Sequence, residues 1–380
     1  MNELIKGSLE GIKVLDFSTL LPGPLASLFL AETGAEVIKI EKPLTGDEMR
    51  SSEPKWNDES VSFSMLNRGK KSLCLDLKDK NSQNTLKPLI KKADIIIEQF
   101  RPGVMKRLGL DYEKIKKINN KIIYVSITGY GQTGPKKMDA GHDLNYIGNV
   151  GLLSLSMGSG QNTTVPPALV ADIAGGSYPA IINILLALRK RDLHKTGSYL
   201  DISMSDNLFP FMFWALGSGF IKSGWPLNSD SLLSGGSPRY NIYETSDGSY
   251  IAAAPLEDRF WKNFCKVIKL PKKLIENQDN QKETIQKIRN IIILKDKFYW
   301  TKVFDEADCC CSVVKSIEEA INDNHFKVRN IFSKKIANDK GEEIPALPIP
   351  IDSQFRKKKT VERAPKLGFD NNLLLNPKNH

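Results

Sequence analysis

A histidine and a carboxylate stand where two successive elements begin. His142 lies in the polar turn Asp139-Ala-Gly-His-Asp143, and Asp172 opens the apolar segment Ile173 to Leu188. Histidine is the side chain best tuned to exchange protons near neutral pH. Only four occur in the chain, His142, His194, His325 and His380, so few positions compete for that role. An imidazole and a carboxyl facing one substrate carbon would move a proton rather than cut a bond with a serine. Each residue also has an ordinary structural explanation. His142 could simply occupy its turn, and Asp143 and Asp172 could each cap a helix. Glu257 follows Ala252-Ala-Ala-Pro-Leu256. It could orient a histidine, or it could stabilise a helix start.

Other chemistry finds less footing. There is no P-loop and no Gly-x-Ser-x-Gly elbow. Gly129, Gly131 and Gly134 have dinucleotide-loop spacing, but Pro135 breaks the strand–turn–helix context, so a tight loop is expected. The run Cys309-Cys310-Cys311 continues into Ser-Val-Val and reads as a buried strand. Neighbouring strand residues point to opposite faces, which disfavours a shared metal. No metal site is expected.

The elements that must position these residues follow an alternating pattern. Short apolar strands are expected at Lys13–Phe17, Glu36–Ile40, Ser72–Asp76, Ala93–Ile97 and Ile122–Ser126, with helices between them. Such alternation predicts βαβ units and a mostly parallel sheet. A helix is expected from Asp172 to Arg191, then a strand at Tyr199–Ile202. Residues 223–237 are rich in Ser, Gly, Asn and Pro and mark a boundary. Strands near 240–243 and 250–254 and helices at 257–267 and 282–294 form a smaller α+β unit. The expected division is 1–200, a linker at 201–238, a small domain at 239–314 and a segment at 315–380 that returns to the large domain.

Composition bounds the function. The chain has 380 residues, 41% hydrophobic and 26% charged, as an ordinary globular protein has. Its net charge is +10, but the lysines are scattered and no nucleic-acid-binding motif accompanies them. No nucleic-acid partner is expected, and a phosphorylated small ligand accounts better for the charge. An odd count of five cysteines is no disulfide framework and suits the cytoplasm. The N-terminus lacks a signal-peptide pattern, and the apolar stretch 208–221 is too short to span a bilayer, so no membrane partner is expected. Basic residues gather at strand-end loops as Arg68-Gly69-Lys70-Lys71, Lys39 and Arg101. Ligands of open α/β sheets bind at such loops, and basic side chains there suit phosphates.

Taken together, many ordered segments resemble the class III CoA-transferase (CaiB–BaiF) superfamily. They include Leu21-Pro-Gly-Pro24, Gly34-Ala-Glu-Val-Ile-Lys-Ile-Glu41, Asn67-Arg-Gly-Lys-Lys-Ser-Leu73, Phe100-Arg-Pro-Gly103, Thr128-Gly-Tyr-Gly-Gln-Thr-Gly-Pro135 and Asp172-Ile-Ala-Gly-Gly176. The resemblance covers most of the chain and weakens after about Val314. Within the superfamily, Ala140-Gly-His-Asp-Leu-Asn-Tyr146 is most similar to the α-methylacyl-CoA racemase branch; the transferase branch usually lacks the histidine. Leu256-Glu-Asp-Arg-Phe260 departs from that branch's Ile-Glu-Pro-x-Phe by placing Asp258 where the proline would stand.

The resemblance implies a Rossmann-like large domain, a smaller domain and an interlocked homodimer. It implies an enzyme of lipid metabolism that racemises the α-carbon of 2-methyl-branched acyl-CoA thioesters. His142 and Asp172 would be opposing bases, and Glu257 would face His142 across the interface. The alternative is a CoA-transferase working through an Asp172 acyl anhydride. CoA would be the carrier part of the substrate, with no separate cofactor. Lys39, Arg68, Gly69, Lys70, Lys71 and Arg101 would meet it, with Gly141, Asp143 and Tyr146 beside them. Backbone groups around Asp172 would hold the enolate oxygen, and Met65, Leu144 and Tyr146 would line the acyl chain.

Overall fold

A computed structural model describes residues 7–159, 162–276 and 280–375. The N-terminal residues read for a signal pattern, and His380, lie outside the described residues. The chain divides into two compact units. One comprises residues 7–150, 168–210 and 330–375, and the other residues 151–167 and 211–329. The observed division differs from the expected one in three places: residues 151–167 join the second unit, the expected linker 201–238 is divided after Pro210 between the first unit and the second, and the chain re-enters the first at 330 rather than 315.

The first unit is built on six strands: β1 (Lys13–Asp16), β2 (Glu36–Glu41), β3 (Lys71–Cys74), β4 (Ile95–Glu98), β5 (Ile123–Thr128) and β6 (Ser198–Ser203). All pairings are parallel, and the spatial order is β6-β5-β4-β1-β2-β3. Strand order therefore reverses between β1 and β4, which opens a crevice at their carboxyl ends. The strands read as continuous apolar runs because both faces are covered. Leu15, Ile38, Leu73, Ile96 and Tyr124 pack on one side with Leu86 and Ile90 of helix α2 (Lys80–Lys92).

Helix α1 (Pro22–Glu32) starts four residues earlier than its apolar pattern from Ala26 implies. Prolines in its first turn suit a helix start, because their missing N–H groups have no partner there anyway. After β5 comes the short helix α3 (Asp143–Asn149). The expected helix from Asp172 proves to be two things. Ala171–Ser177 is a π-helix, and α4 (Tyr178–His194) continues from it. Gly175 and Gly176 explain the widened turn: a Cβ on Gly175 would lie 2.3 Å from the Met204 carbonyl oxygen. The Asn207 amide donates to the Gly175 carbonyl at 2.9 Å, satisfying one carbonyl in the π turn. By length and composition the run 171–194 is apolar enough to cross a membrane. It also packs into this unit through Ala180, Ile184 and Ala187, which are buried.

The second unit has an antiparallel sheet of β7 (Asn241–Glu244), β8 (Tyr250–Ala253) and β9 (Cys311–Val313). Helices α5 (Asp258–Val267), α6 (Gln281–Ile292) and α7 (Lys297–Asp305) cover it around Phe264, Ile288 and Trp300. The cysteine run is not one buried strand. Cys309 is buried, Cys310 is exposed with φ +50°, and only Cys311 enters β9. The left-handed residue turns the chain, so the strand begins later than the apolar run.

Candidate active site

A cavity of about 470 Å³ opens at the carboxyl ends of the first unit's sheet. Thr19 and Leu20 after β1, Gln99 to Pro102 after β4, and Thr128 to Tyr130 from β5 form part of its wall. This is the crevice that the strand reversal creates. His142 and Asp172 both line it, although they come from different elements.

His142 precedes α3 in extended conformation, with φ −126° and ψ 179°. Its backbone N–H donates to Asn145 Oδ1 at 3.0 Å, while the imidazole makes no cap bond and is exposed. The cap is thus served by the backbone, and the ring stays free for chemistry.

Asp172 sits inside the first turn of the π-helix, not at a cap. Burial, and secondarily the like charge of Asp143, push its carboxyl up to about 6, with the His142 charge opposing them. Asp143 is 5% exposed, and its Oδ1 accepts the Asp172 backbone N–H at 2.9 Å. The residue next to His142 in sequence therefore fixes the backbone of Asp172. That contact also engages the amide expected to hold an enolate oxygen.

Tyr146 is buried, and its hydroxyl donates to the Gly141 carbonyl at 2.5 Å. Burial, then the Asp172 charge, push its phenol up to about 12. Two glycines make room for the ring. A Cβ would lie 2.4 Å from Tyr146 Cε1 at Gly129 and 2.7 Å at Gly141. Gly129 of the glycine-rich loop is thus a packing device for the site. Gly131 and Gly134 take positive φ in the tight loop.

The basic residues separate into two groups. Arg101 lines the cavity and is exposed, as is Lys137, which sequence reasoning missed. Lys137 follows Pro135 in an irregular loop, and no motif singles it out. The remaining basic residues are spent on the protein. Lys39 is fully buried, 2.8 Å from Asp47, and donates to the Ser18 carbonyl at 2.8 Å. Arg68 Nε meets Glu32 at 2.8 Å, and its other nitrogens hold the carbonyls of Met65 and Leu347. Lys70 reaches Asp16 at 3.4 Å and Asn67 at 2.8 Å, and burial pushes its ammonium down to about 7. Lys71 pairs with Glu36. Gly69, at φ +73°, faces Glu362 of the C-terminal segment. These five residues are engaged within the first unit and are not in the cavity wall, whereas Arg101 and Lys137 are.

Of the expected acyl-chain residues, Tyr146 lines the cavity; Met65 and Leu144 are not in its wall, and Leu144 is exposed. Glu257 belongs to the second unit. It precedes α5, is exposed, and makes no side-chain cap bond. No cluster able to hold a metal ion occurs among the described residues.

Comparison with known proteins gives the same frame. The chain is 32% identical over 328 residues to human α-methylacyl-CoA racemase, covering 86% of this chain and 82% of that protein. It is 30% identical over 355 residues to acetyl-CoA:oxalate CoA-transferase of Acetobacter aceti, covering 91% and 90%. The crystal structure of a CaiB/BaiF family protein from Brucella suis superposes with a TM-score of 0.80 at 25% identity, over 96% of this chain and 98% of that one. Racemases and transferases thus both stand among its relatives. The profile of CoA-transferase family III matches residues 9–371, and with a parallel sheet whose switch-point cavity holds His142 and Asp172, this chain belongs to that family.

Proposed function

We propose that the enzyme racemises the α-carbon of 2-methyl-branched acyl-CoA thioesters by two-base proton transfer. The observation that carries this reading is the pairing of a free imidazole with a carboxyl raised to about 6 in one cavity. Each group must act as base for one enantiomer and as acid for the other, and burial that raises the Asp172 carboxyl to about 6 lets it hold a proton as well as take one. His142 takes the α-proton from one face, the electron pair moves into the thioester carbonyl, and protonated Asp172 returns a proton to the opposite face. The reverse reaction starts from imidazolium and carboxylate. Coupled groups share such limbs, so the pH profile belongs to the pair.

CoA is the carrier part of the substrate, and the scheme needs no further cofactor. Arg101 and Lys137 are the exposed cations at the cavity for its phosphates. A homodimer is part of the proposal: Ile182, Leu186, Phe213 and Phe220 are exposed apolar side chains that a second copy would cover. Glu257 of that copy would then favour the imidazolium of His142. Cytoplasmic placement and a part in lipid metabolism belong to the same proposal; five free cysteines suit a reducing compartment.

Transferase activity through an Asp172 anhydride is the second reading, favoured by relatives such as the Acetobacter aceti enzyme. The two readings separate in one experiment. A 2-methylacyl-CoA incubated in D₂O without an acceptor acid gains α-deuterium if the racemase reading holds. If a free acid exchanges with the thioester while the α-carbon stays protonated, the transferase reading replaces it.

A further inference from the structure

The loop from β1 to α1 holds a leucine in a conformation that leucine disfavours. Leu20 is half-buried, lines the cavity and has φ +63°. A left-handed backbone brings Cβ against the following carbonyl oxygen, and leucine, unlike asparagine, has no polar side chain to offset this locally. Among the described residues, Leu20 is the one non-glycine residue of positive φ in the cavity wall. Such strain persists only where the surrounding structure holds it, and it gathers at functional sites.

What holds it is a carboxylate from another part of the chain. The Leu20 N–H donates to Asp47 Oδ1 at 3.0 Å, and Asp47 is 1% exposed. The same oxygen accepts the Met49 N–H at 2.9 Å. Lys39 lies 2.8 Å from the other carboxylate oxygen and donates to the Ser18 carbonyl. The Ser18 N–H donates in turn to Asp16 Oδ1 at 2.9 Å. Two buried carboxylates therefore grip the loop on either side of Thr19, which also lines the cavity. Resting on the reading of this cavity as the thioester site, we propose that Asp47 is a positioning residue: its carboxylate keeps Leu20 left-handed, and the left-handed turn keeps the Thr19–Leu20 wall in the form that binds the acyl-CoA thioester. Asp47 is not itself in the wall and acts through Leu20. The size of the effect follows from populations. Without its acceptor, Leu20 relaxes toward an ordinary φ, and the strain released leaves the binding form roughly tenfold less populated. Apparent affinity falls by the same factor. Glycine enters the left-handed region as readily as the ordinary one, so a glycine at position 20 needs no such hold.

The test measures binding of a 2-methylacyl-CoA by calorimetry to the wild-type protein, Asp47→Ala, Leu20→Gly and the double variant. Asp47→Ala should weaken binding roughly tenfold when residue 20 is leucine, and by no more than about twofold when it is glycine. Asp47→Asn keeps a carbonyl oxygen for the Leu20 N–H and should retain most of the affinity. A role confined to the fold, through Lys39 or the Met49 turn, predicts the same loss in both backgrounds. Should Asp47→Ala fail to fold, Asp47→Asn and the melting temperatures of Leu20→Gly and Leu20→Ala carry the test. At an ordinary φ the alanine variant melts higher; a left-handed position reverses that order. Equal weakening in both backgrounds, or an alanine variant that melts above the glycine one, overturns the inference. Unchanged affinity in Asp47→Ala overturns the inference alone, whereas a wild-type protein that binds no CoA thioester overturns the proposed function with it.

Discussion

Asp143→Asn isolates the electrostatics of the pair. Its oxygen accepts the Asp172 N–H at 2.9 Å, and an asparagine carbonyl can keep that bond while losing the charge. Asp172 is raised from 3.8 to about 6, with burial the larger cause and Asp143 the next. At 1.36 kcal/mol per pH unit, the whole rise corresponds to roughly 3 kcal/mol. Asp143 accounts for the smaller part of that rise, so the displacement on removing its charge is a fraction of it. Exchange from each enantiomer should be followed in D₂O across the pH range. For the enantiomer that Asp172 deprotonates, activity rises as Asp172 ionises; for the other, it falls as Asp172 ionises. Removing the Asp143 charge favours ionisation, so both limbs should move to lower pH together. Limbs that stay in place, or move upward, would refute the claim that Asp143 tunes Asp172 by its charge.

Other consequences follow from the same geometry. Asp172 has a folded pKa raised above its unfolded value, so its stabilising contribution is full below ~4 and is lost as pH rises through about 6. Asp172→Asn should therefore abolish exchange yet raise stability at pH 8 by about 1–2 kcal/mol after discounting for partial exposure, with little gain at pH 4; thermal melts at the two values check this. Arg68→Ala leaves the buried Glu32 carboxylate with Lys334 as its remaining cation and removes the donors to the Met65 and Leu347 carbonyls, and should cost about 3 kcal/mol in chemical denaturation. Arg101→Ala should leave stability within about 0.5 kcal/mol and weaken CoA binding by calorimetry. Gly129→Ala should displace the Tyr146 ring and lower exchange, with a changed near-UV circular dichroism spectrum as its signature.

The alternation of strand and helix was legible in the first unit because parallel strands covered on both faces are short apolar runs, and each is punctuated by a turn. The six-stranded order could not be read from local pattern, since it depends on which side of β1 each crossover falls. His142 and Asp172 were visible as residue types, but only the resemblance distinguished them from a turn and a cap. The pairing of the basic residues was hidden for a physical reason. Lys39, Arg68 and Lys70 meet Asp47, Glu32 and Asp16, and nothing in the loop itself shows that these carboxylates lie beneath it. The π-helix was hidden for a similar reason: Gly175 and Gly176 look like a weak helix until Met204 is seen against them.

The central claim is proton exchange at the α-carbon by His142 and Asp172. Its most direct test is mass spectrometry of a single enantiomer of a 2-methylacyl-CoA incubated with enzyme in D₂O, without any acceptor acid. The expected result is one deuterium at the α-carbon together with loss of optical purity, both absent in His142→Ala and Asp172→Ala. A protonated α-carbon alongside transfer of CoA to an added carboxylic acid, or full exchange in His142→Ala, would contradict the account.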